Sequence, residues 1–491
     1  MRVTTAEPLT DYEAVIGLEV HVELSTATKM FCGCAIDFGG EPNSRTCPVC
    51  LGQPGALPVP NARAVEYAIR LGLALDCDVI ERSQFHRKNY FYPDMPKNYQ
   101  ISQYDVAICE RGHLDVDLDG EIKRVGIHRV HMEEDTGKTA HVGTSGRIHG
   151  AEYSLVDYNR AGIPLLEVVS EPDIRSAAEA QAYLSELRGI VLALGISDAK
   201  LEEGSMRCDA NISVRPRGRD VFGERVEVKN LNSVRSLGRA VAYEIERQTD
   251  LLRNGETVVR ETRHWDEDAG TTSTLRAKEE VFDYRYFPDP DLVPIEPDAQ
   301  WVTDLGAGLP ALPAAIRARL RDELGLDAER ARTLVDAGLV RVLDDAVGRG
   351  APAGDAAKWL TNEVLGWSNE HGVEVADLPL TGAHLASLVG LVGDGTLSTK
   401  LARQVLDGVL AGEGAPADVV RARGLEQVSD SAELERLVDD AIAAQPDAAQ
   451  RVRDGNHKAI GALVGAVMKA SRGQANPQLV NELLRDRLIS S

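Results

Sequence analysis

The 491-residue sequence predicts an α+β protein: a domain with a largely antiparallel sheet, followed by all-α regions. Three observations carry that expectation. Up to about Asp291 the chain runs in short alternating and β-branched segments separated by Gly and Pro turns, the texture of antiparallel strands. The Pro-rich stretch Phe287-Pro288-Asp289-Pro290-Asp291-Leu292-Val293-Pro294 interrupts this pattern. Beyond it Ala, Leu, Arg and Asp dominate and apolar residues recur at helical spacing, as in Leu434, Leu437, Val438 and Ile442 or Ile460, Leu463, Val464, Val467 and Met468. A further break at Gly412-Glu413-Gly414-Ala415-Pro416 divides the helical part, so the expected domains are 1–293, 294–412 and 413–491. No repeat period is evident, which excludes a solenoid.

The N-terminal MRVTTAEPLTDYEAVIGLEV has neither a basic nor an apolar leader region, and no window approaches the ~20 apolar residues that span a bilayer. A soluble, cytoplasmic protein is expected. Of seven cysteines, four crowd between Cys32 and Cys50, which suits a metal in a reducing compartment better than a secreted disulfide framework. The net charge of −23 argues against a large cationic surface for nucleic acid. Charge is local, however. From Arg451 onward Arg451, Arg453, Lys458, Lys469, Arg472, Arg485 and Arg487 face Asp454, Glu482 and Asp486, a balance of +4. Charge alone reads this end either as a solvated helix face or as a phosphate-binding surface.

The first chemical segment is Val15 to Leu24, where a period of two places Leu18, Val20, Val22 and Leu24 on one strand face and Glu19, His21 and Glu23 on the other. Cys32-Gly33-Cys34 and Cys47-Pro48-Val49-Cys50 follow. Two short-spaced thiol pairs can close a tetrahedral Zn²⁺ site with no position open to substrate, a structural role; free buried thiols are the other reading. In His131-Met132-Glu133-Glu134-Asp135-Thr136-Gly137-Lys138, three acids precede Gly and Lys. A phosphate loop is rejected because Met132 stands where its first glycine is required. Acids become useful beside a triphosphate when a divalent cation lies between them, so this acidic turn reads as a metal–nucleotide site. Glu167 sits in the apolar run Gly162 to Glu167 and needs a partner or a metal if buried. A second strand, Ser205 to Val214, turns Arg207, Asp209, Asn211 and Ser213 to one side, a mixed polar face suited to binding; Glu227 and Lys229 add charge nearby. The glycine pattern Gly306-Ala307-Gly308 lacks a preceding strand and is discounted as a dinucleotide site.

Val15 to His21, Arg87-Lys88-Asn89-Tyr90-Phe91-Tyr92-Pro93-Asp94, His131 to Lys138, Glu202 to Asn211 and Tyr284-Arg285-Tyr286-Phe287-Pro288-Asp289-Pro290-Asp291 closely resemble signatures of the GatB family, the B subunits of tRNA-dependent aspartyl/glutamyl amidotransferases. Gly473-Gln474-Ala475-Asn476-Pro477 resembles the family's tail domain. The resemblance implies a cradle domain with a glutamine-synthetase-like catalytic fold, a helical domain and a tail that helps hold tRNA. It implies three partners: a glutamine-hydrolysing amidase (glutaminase), which is the A protein of the heterotrimer; its small C protein; and misacylated tRNA. It further implies ATP, and Mg²⁺ held by residues matching His21, Glu134 and Glu167, with Mn²⁺ a substitute because imidazole is an uncommon ligand for Mg²⁺. Glu19, Glu133 and Asp135 are candidates for a second ion or for orienting the first. Lys138, Arg207 and Lys229 are candidates for phosphate or the substrate carboxylate, and Asp209 and Asn211 for the same binding face. The implied reaction phosphorylates the carboxylate of Asp or Glu on tRNA and amidates it with ammonia. A ligase or kinase acting on a free amino acid and a non-catalytic RNA-binding scaffold are the alternative readings.

Overall fold

The computed structural model describes residues 11–37, 39–118, 120–143, 151–277, 283–425, 431–471, 475 and 477–489. The tail motif at 473–477 therefore lies largely outside the described residues. The chain divides into two compact units, Met1–Pro313 and Ala314–Ser491.

The first unit is a mixed α+β body. Its strands are β1 (Tyr12–Glu23), β2 (Asp78–Val79), β3 (His86–Asn89), β4 (Tyr99–Ser102), β5 (Cys109–Leu118), β6 (Glu121–Glu134), β7 (Lys138–Gly143), β8 (Ala151–Asp157), β9 (Pro164–Ser170), β10 (Met206–Pro216), β11 (Val226–Lys229), β12 (Glu261–Asp266), β13 (Thr271–Ala277) and β14 (Phe287–Pro288). Its helices are α1 (Ala62–Ala74), α2 (Ala177–Leu194), α3 (Val234–Arg253) and α4 (Ala299–Ala307). One twelve-stranded sheet runs in the order β13-β12-β11-β10-β1-β9-β6-β4-β3-β14, with β5 also on β6 and β2 on β5; β7 and β8 pair separately. Among the described residues every pairing is antiparallel except β11 with β12.

The period of two in β1 sets the orientation of the sheet. Leu18, Val20 and Val22 are fully buried in a core shared with α1, α2 and α3. Burying each is worth roughly 1.5–3 kcal/mol. A one-residue slip would exchange all three for Glu19, His21 and Glu23, so the register is firmly set. The helices are well defined at their ends: Ser176 caps α2 by accepting from Glu179 N, and Gly195 closes it at φ 65°.

The first unit runs past the Pro-rich stretch because α4 follows it and lays Trp301, Val302 and Leu305 on the same core. Gly306 and Gly308 fall at the end of α4, with no strand before them. The second unit is helical, and its described residues form two apolar clusters. One runs from Leu320 to Leu425 and includes Val419 and Val420 of the helix Pro416–Arg423. The other runs from Leu434 to Leu488. Among the described residues no helix is long and apolar enough to cross a membrane.

Candidate active site

The face of the sheet opposite α1–α3 carries the chemistry. Antiparallel register aligns Arg207, His21, Glu167 and His131 in one row across β10, β1, β9 and β6. Glu23, Leu165 and Glu133 form the next row across β1, β9 and β6, and Asp209 with Glu19 another. Residues directly opposite on neighbouring strands share a face. This is how side chains more than a hundred residues apart meet.

His21 Nε2 lies 3.5 Å from Glu133 Oε1 and 3.6 Å from Glu167 Oε2. Adjacent ligands of one ion at bond lengths of ~2.1 Å stand roughly 3–3.4 Å apart, so these three groups fit a divalent cation with little movement. His131 Nε2 is 3.0 Å from Glu167 Oε2 and steadies it from the side. Burial works against ionisation of Glu167, but His131, His21 and Lys88 together hold its carboxyl well below the ordinary range. It is therefore a carboxylate.

Glu134 does not join this group. Strand β6 continues through Glu133 and Glu134 before the chain turns, so the two point to opposite faces. On the far side Glu134 pairs with the buried Lys97 ammonium and accepts from Ile101 N at 2.9 Å. Of the two consecutive glutamates it is Glu133, not the expected Glu134, that lies beside His21 and Glu167, and the expected acidic turn is strand through Glu134.

The triad lies in an open cavity of about 1080 Å³. Of the residues expected from sequence, Glu19, His21, Glu133, Asp135, Glu167, Arg207, Asp209 and Lys229 line it. Asn211 stands behind, donating to Glu19 Oε1 at 2.8 Å. Lys138 is exposed on the β7–β8 hairpin and is not in the lining. Arg207 holds Asp135 at 3.0 Å. Burial first, then a shared hydrogen bond with Asp135, raises Glu23 to about 8. Burial opposes the charge of Lys229, but Asp209 and Glu227, both paired with it, outweigh that and raise its ammonium above the ordinary range.

Sequence reasoning missed Lys88, His131, Arg129, Tyr104, Tyr284 and Tyr286, all in the lining. His131 shares a face of β6 with Glu133, which shows only once the strand is known to run through both. Lys88 stands inside a motif already singled out, without a role assigned to it.

The four cysteines also meet. Cys32, Cys34, Cys47 and Cys50 form a group whose sulfurs all lie within 4.8 Å of one another. The Thr28–Ala35 bridge closes the first knuckle, and Cys47 N donates to Cys50 Sγ at 3.2 Å in the second. Cys47 and Cys50 sulfurs are 3.9 Å apart. Sulfurs held at ~2.3 Å from a tetrahedral centre stand roughly 3.8 Å apart, so the donor set fits a metal. A hydrogen bond from Cys32, then Cys47 N–H and the Lys29 ammonium, outweigh burial and lower the Cys50 thiol to about 5. Lys29, fully buried, is fixed by Arg45 O at 2.9 Å and Tyr158 O at 3.1 Å.

A largely antiparallel sheet that gathers His21, Glu133 and Glu167 in a cavity lined by acidic and basic side chains in equal number has the form of a catalytic domain for charged substrates. Residues 14–303 match the GatB/GatE catalytic domain and residues 341–488 match the GatB domain. The chain is 57% identical to the B subunit of the aspartyl/glutamyl-tRNA(Asn/Gln) amidotransferase of Thermobifida fusca, over 98% of this chain and 95% of that one. It is 54% identical to the protein of the same name from Streptomyces avermitilis, over 99% and 97%. It belongs to the GatB family.

Proposed function

We propose that this chain uses ATP to activate the side-chain carboxylate of Asp-tRNA(Asn), Glu-tRNA(Gln) or both, for amidation by ammonia from a partner glutaminase. The observation that carries the reading is the His21, Glu133, Glu167 group inside a cavity that also presents Lys88, Arg207 and Lys229, in a chain whose relatives are tRNA amidotransferase B subunits. A carboxylate is a poor electrophile. Attack of its oxygen on the γ-phosphorus breaks the bond to the β,γ-bridging oxygen, releasing ADP and leaving an acyl phosphate, and ammonia then displaces phosphate at the acyl carbon. His21, Glu133 and Glu167 would hold Mg²⁺ or Mn²⁺, which when bound neutralises the repulsion between two anions. Lys88 faces Glu133 and Glu167 across the cavity, a second source of positive charge for phosphate oxygens. Arg207, fixed by Asp135, presents a guanidinium in the same row as His21.

The four-cysteine group suits a structural Zn²⁺. The wide antiparallel sheet with its cavity on one face supports a cradle related to the glutamine synthetase catalytic domain. The amidase and the small third protein complete a heterotrimer, which acts in cytoplasmic translation. The test is ATP consumption by the reconstituted heterotrimer. It should require charged tRNA and vanish in His21→Ala, Glu133→Ala and Glu167→Ala while glutamine hydrolysis persists. ATP use with a free amino acid and no tRNA would instead indicate a free-amino-acid ligase. No ATP use would indicate a scaffold.

A further inference from the structure

The cavity has an aromatic end. Tyr104 and Tyr286 stack face to face with ring centroids 4.1 Å apart and planes 12° apart. Tyr284 meets Tyr286 edge-on at 6.1 Å, and His86 meets Tyr104 edge-on at 6.1 Å. A tyrosine pair that merely closed a sheet edge would be covered, yet Tyr104 is 50% exposed. All three tyrosines line the cavity.

Two cations stand beside these rings. Lys88 Nζ is 5.0 Å from the centre of the Tyr284 ring and faces the acids Glu133 and Glu167 on its other side. Arg129 Nη1 donates to Tyr104 O at 2.7 Å, while its Nε is buried without a hydrogen-bond partner. Arg129 also lines the cavity, so its guanidinium sets a second positive charge beside the rings. The sheet orders these parts: Lys88 on β3 is separated from Glu133 on β6 by β4 alone, two strand spacings or ~10 Å. The sequence of groups is aromatic platform, cation, then metal-binding triad, the layout of a base, a phosphate chain and its cation.

We infer that the Tyr104–Tyr286 pair is the stacking platform for an adenine ring, with Lys88 and Arg129 set to meet the phosphates attached to it. This rests on the carboxylate-activation reading above. Two substrates of that reaction carry the same ring, ATP and the 3′-terminal adenosine of tRNA, and both must reach the triad.

Two fluorescent probes separate them: 2-aminopurine riboside triphosphate, and tRNA with 2-aminopurine at its 3′ end. Each is titrated into the heterotrimer, where stacking quenches the base. One of them should be quenched by wild type. Tyr104→Ala should weaken that probe's binding roughly 5- to 100-fold, and Tyr104→Phe, which keeps the ring, should restore it. In turnover Tyr104→Ala should raise the KM for ATP or for charged tRNA, whichever carries the base, more than it lowers kcat. Loss confined to the triphosphate assigns the platform to ATP; loss confined to the labelled tRNA assigns it to the acceptor end. Unchanged quenching and affinity for both probes in Tyr104→Ala and Tyr286→Ala would overturn the inference. The activation reading fails by a different signal, the absence of tRNA-dependent ATP consumption in wild type, and the binding titrations still report on the platform.

Discussion

Glu133 and Glu134 are adjacent in sequence and opposite in the fold, so exchanging each for Gln separates two roles. Glu133→Gln keeps the shape of the side chain and removes one charged group from the triad around His21. Changing residues that only support a ligand costs metal sites about 10- to 100-fold in affinity. Removing a ligand itself should cost at least the upper end, so Mn²⁺ binding should weaken by about 100-fold or more. Folding stability should hardly change, because Glu133 shares its surroundings with another carboxylate. Glu134→Gln should do the reverse. The amide still accepts from Ile101 N, but the Lys97 ammonium, 6% exposed, loses its counter-charge. Breaking a buried pair from one side costs about 3–5 kcal/mol. Isothermal titration with Mn²⁺ and chemical denaturation of the same two proteins give both readouts. Weakened Mn²⁺ binding in Glu134→Gln with normal binding in Glu133→Gln would refute the assignment of the triad.

Three further outcomes are expected. Elemental analysis should find about one zinc per chain, and Cys47→Ser should lose it along with thermal stability; less than about half an equivalent with unchanged stability would favour free thiols. Glu23 is protonated in the folded state up to about 8, far above an ordinary carboxyl, so the stability it contributes is full below the ordinary range and declines as pH rises through 8. Denaturation midpoints between pH 5 and 8 should fall less in Glu23→Gln than in wild type, and identical slopes would count against the shared proton. Removing the chain from residue 426 should raise the KM for charged tRNA and flatten its salt dependence while sparing glutamine hydrolysis. Cutting after Ala444 would be a poorer test, because Leu434, Val438 and Ala441 pack in the same cluster as Leu463 and Leu484. Unchanged affinity and salt slope would leave the basic tail as an ordinary solvated surface.

The parts of the site written in local periodicity were legible before the structure. The alternation in β1 and β10 put His21, Glu19, Arg207 and Asp209 on one face, and the paired spacing brought the cysteines together. What could not be read was parity at the end of β6. Choosing between two consecutive glutamates requires knowing that the strand extends through both, and the sequence there looks like a turn because of Asp135, Thr136 and Gly137. The order of strands was equally hidden. Lys88, Tyr104 and Tyr286 reach the cavity only because β3, β4 and β14 lie beyond β6, a neighbourhood no local pattern encodes.

The central place of β1 bears on how the protein is made. Its partners lie far along the chain: Leu18 N bonds Ser170 Oγ, 152 residues later, and the β10 pairing reaches Pro216. At synthesis rates of about 5–20 residues per second, the first strand has both edges bare for roughly 7–28 s until β9 is made, and one edge bare for longer until β10 follows. Throughout that interval Val15, Ile16, Leu18, Val20 and Val22 form an unpaired apolar ribbon, the kind of segment that pairs with the wrong neighbour. The His21, Glu133 and Glu167 group cannot assemble until β9 arrives, so the newborn polypeptide should depend on chaperone protection more than its finished charge of −23 would imply.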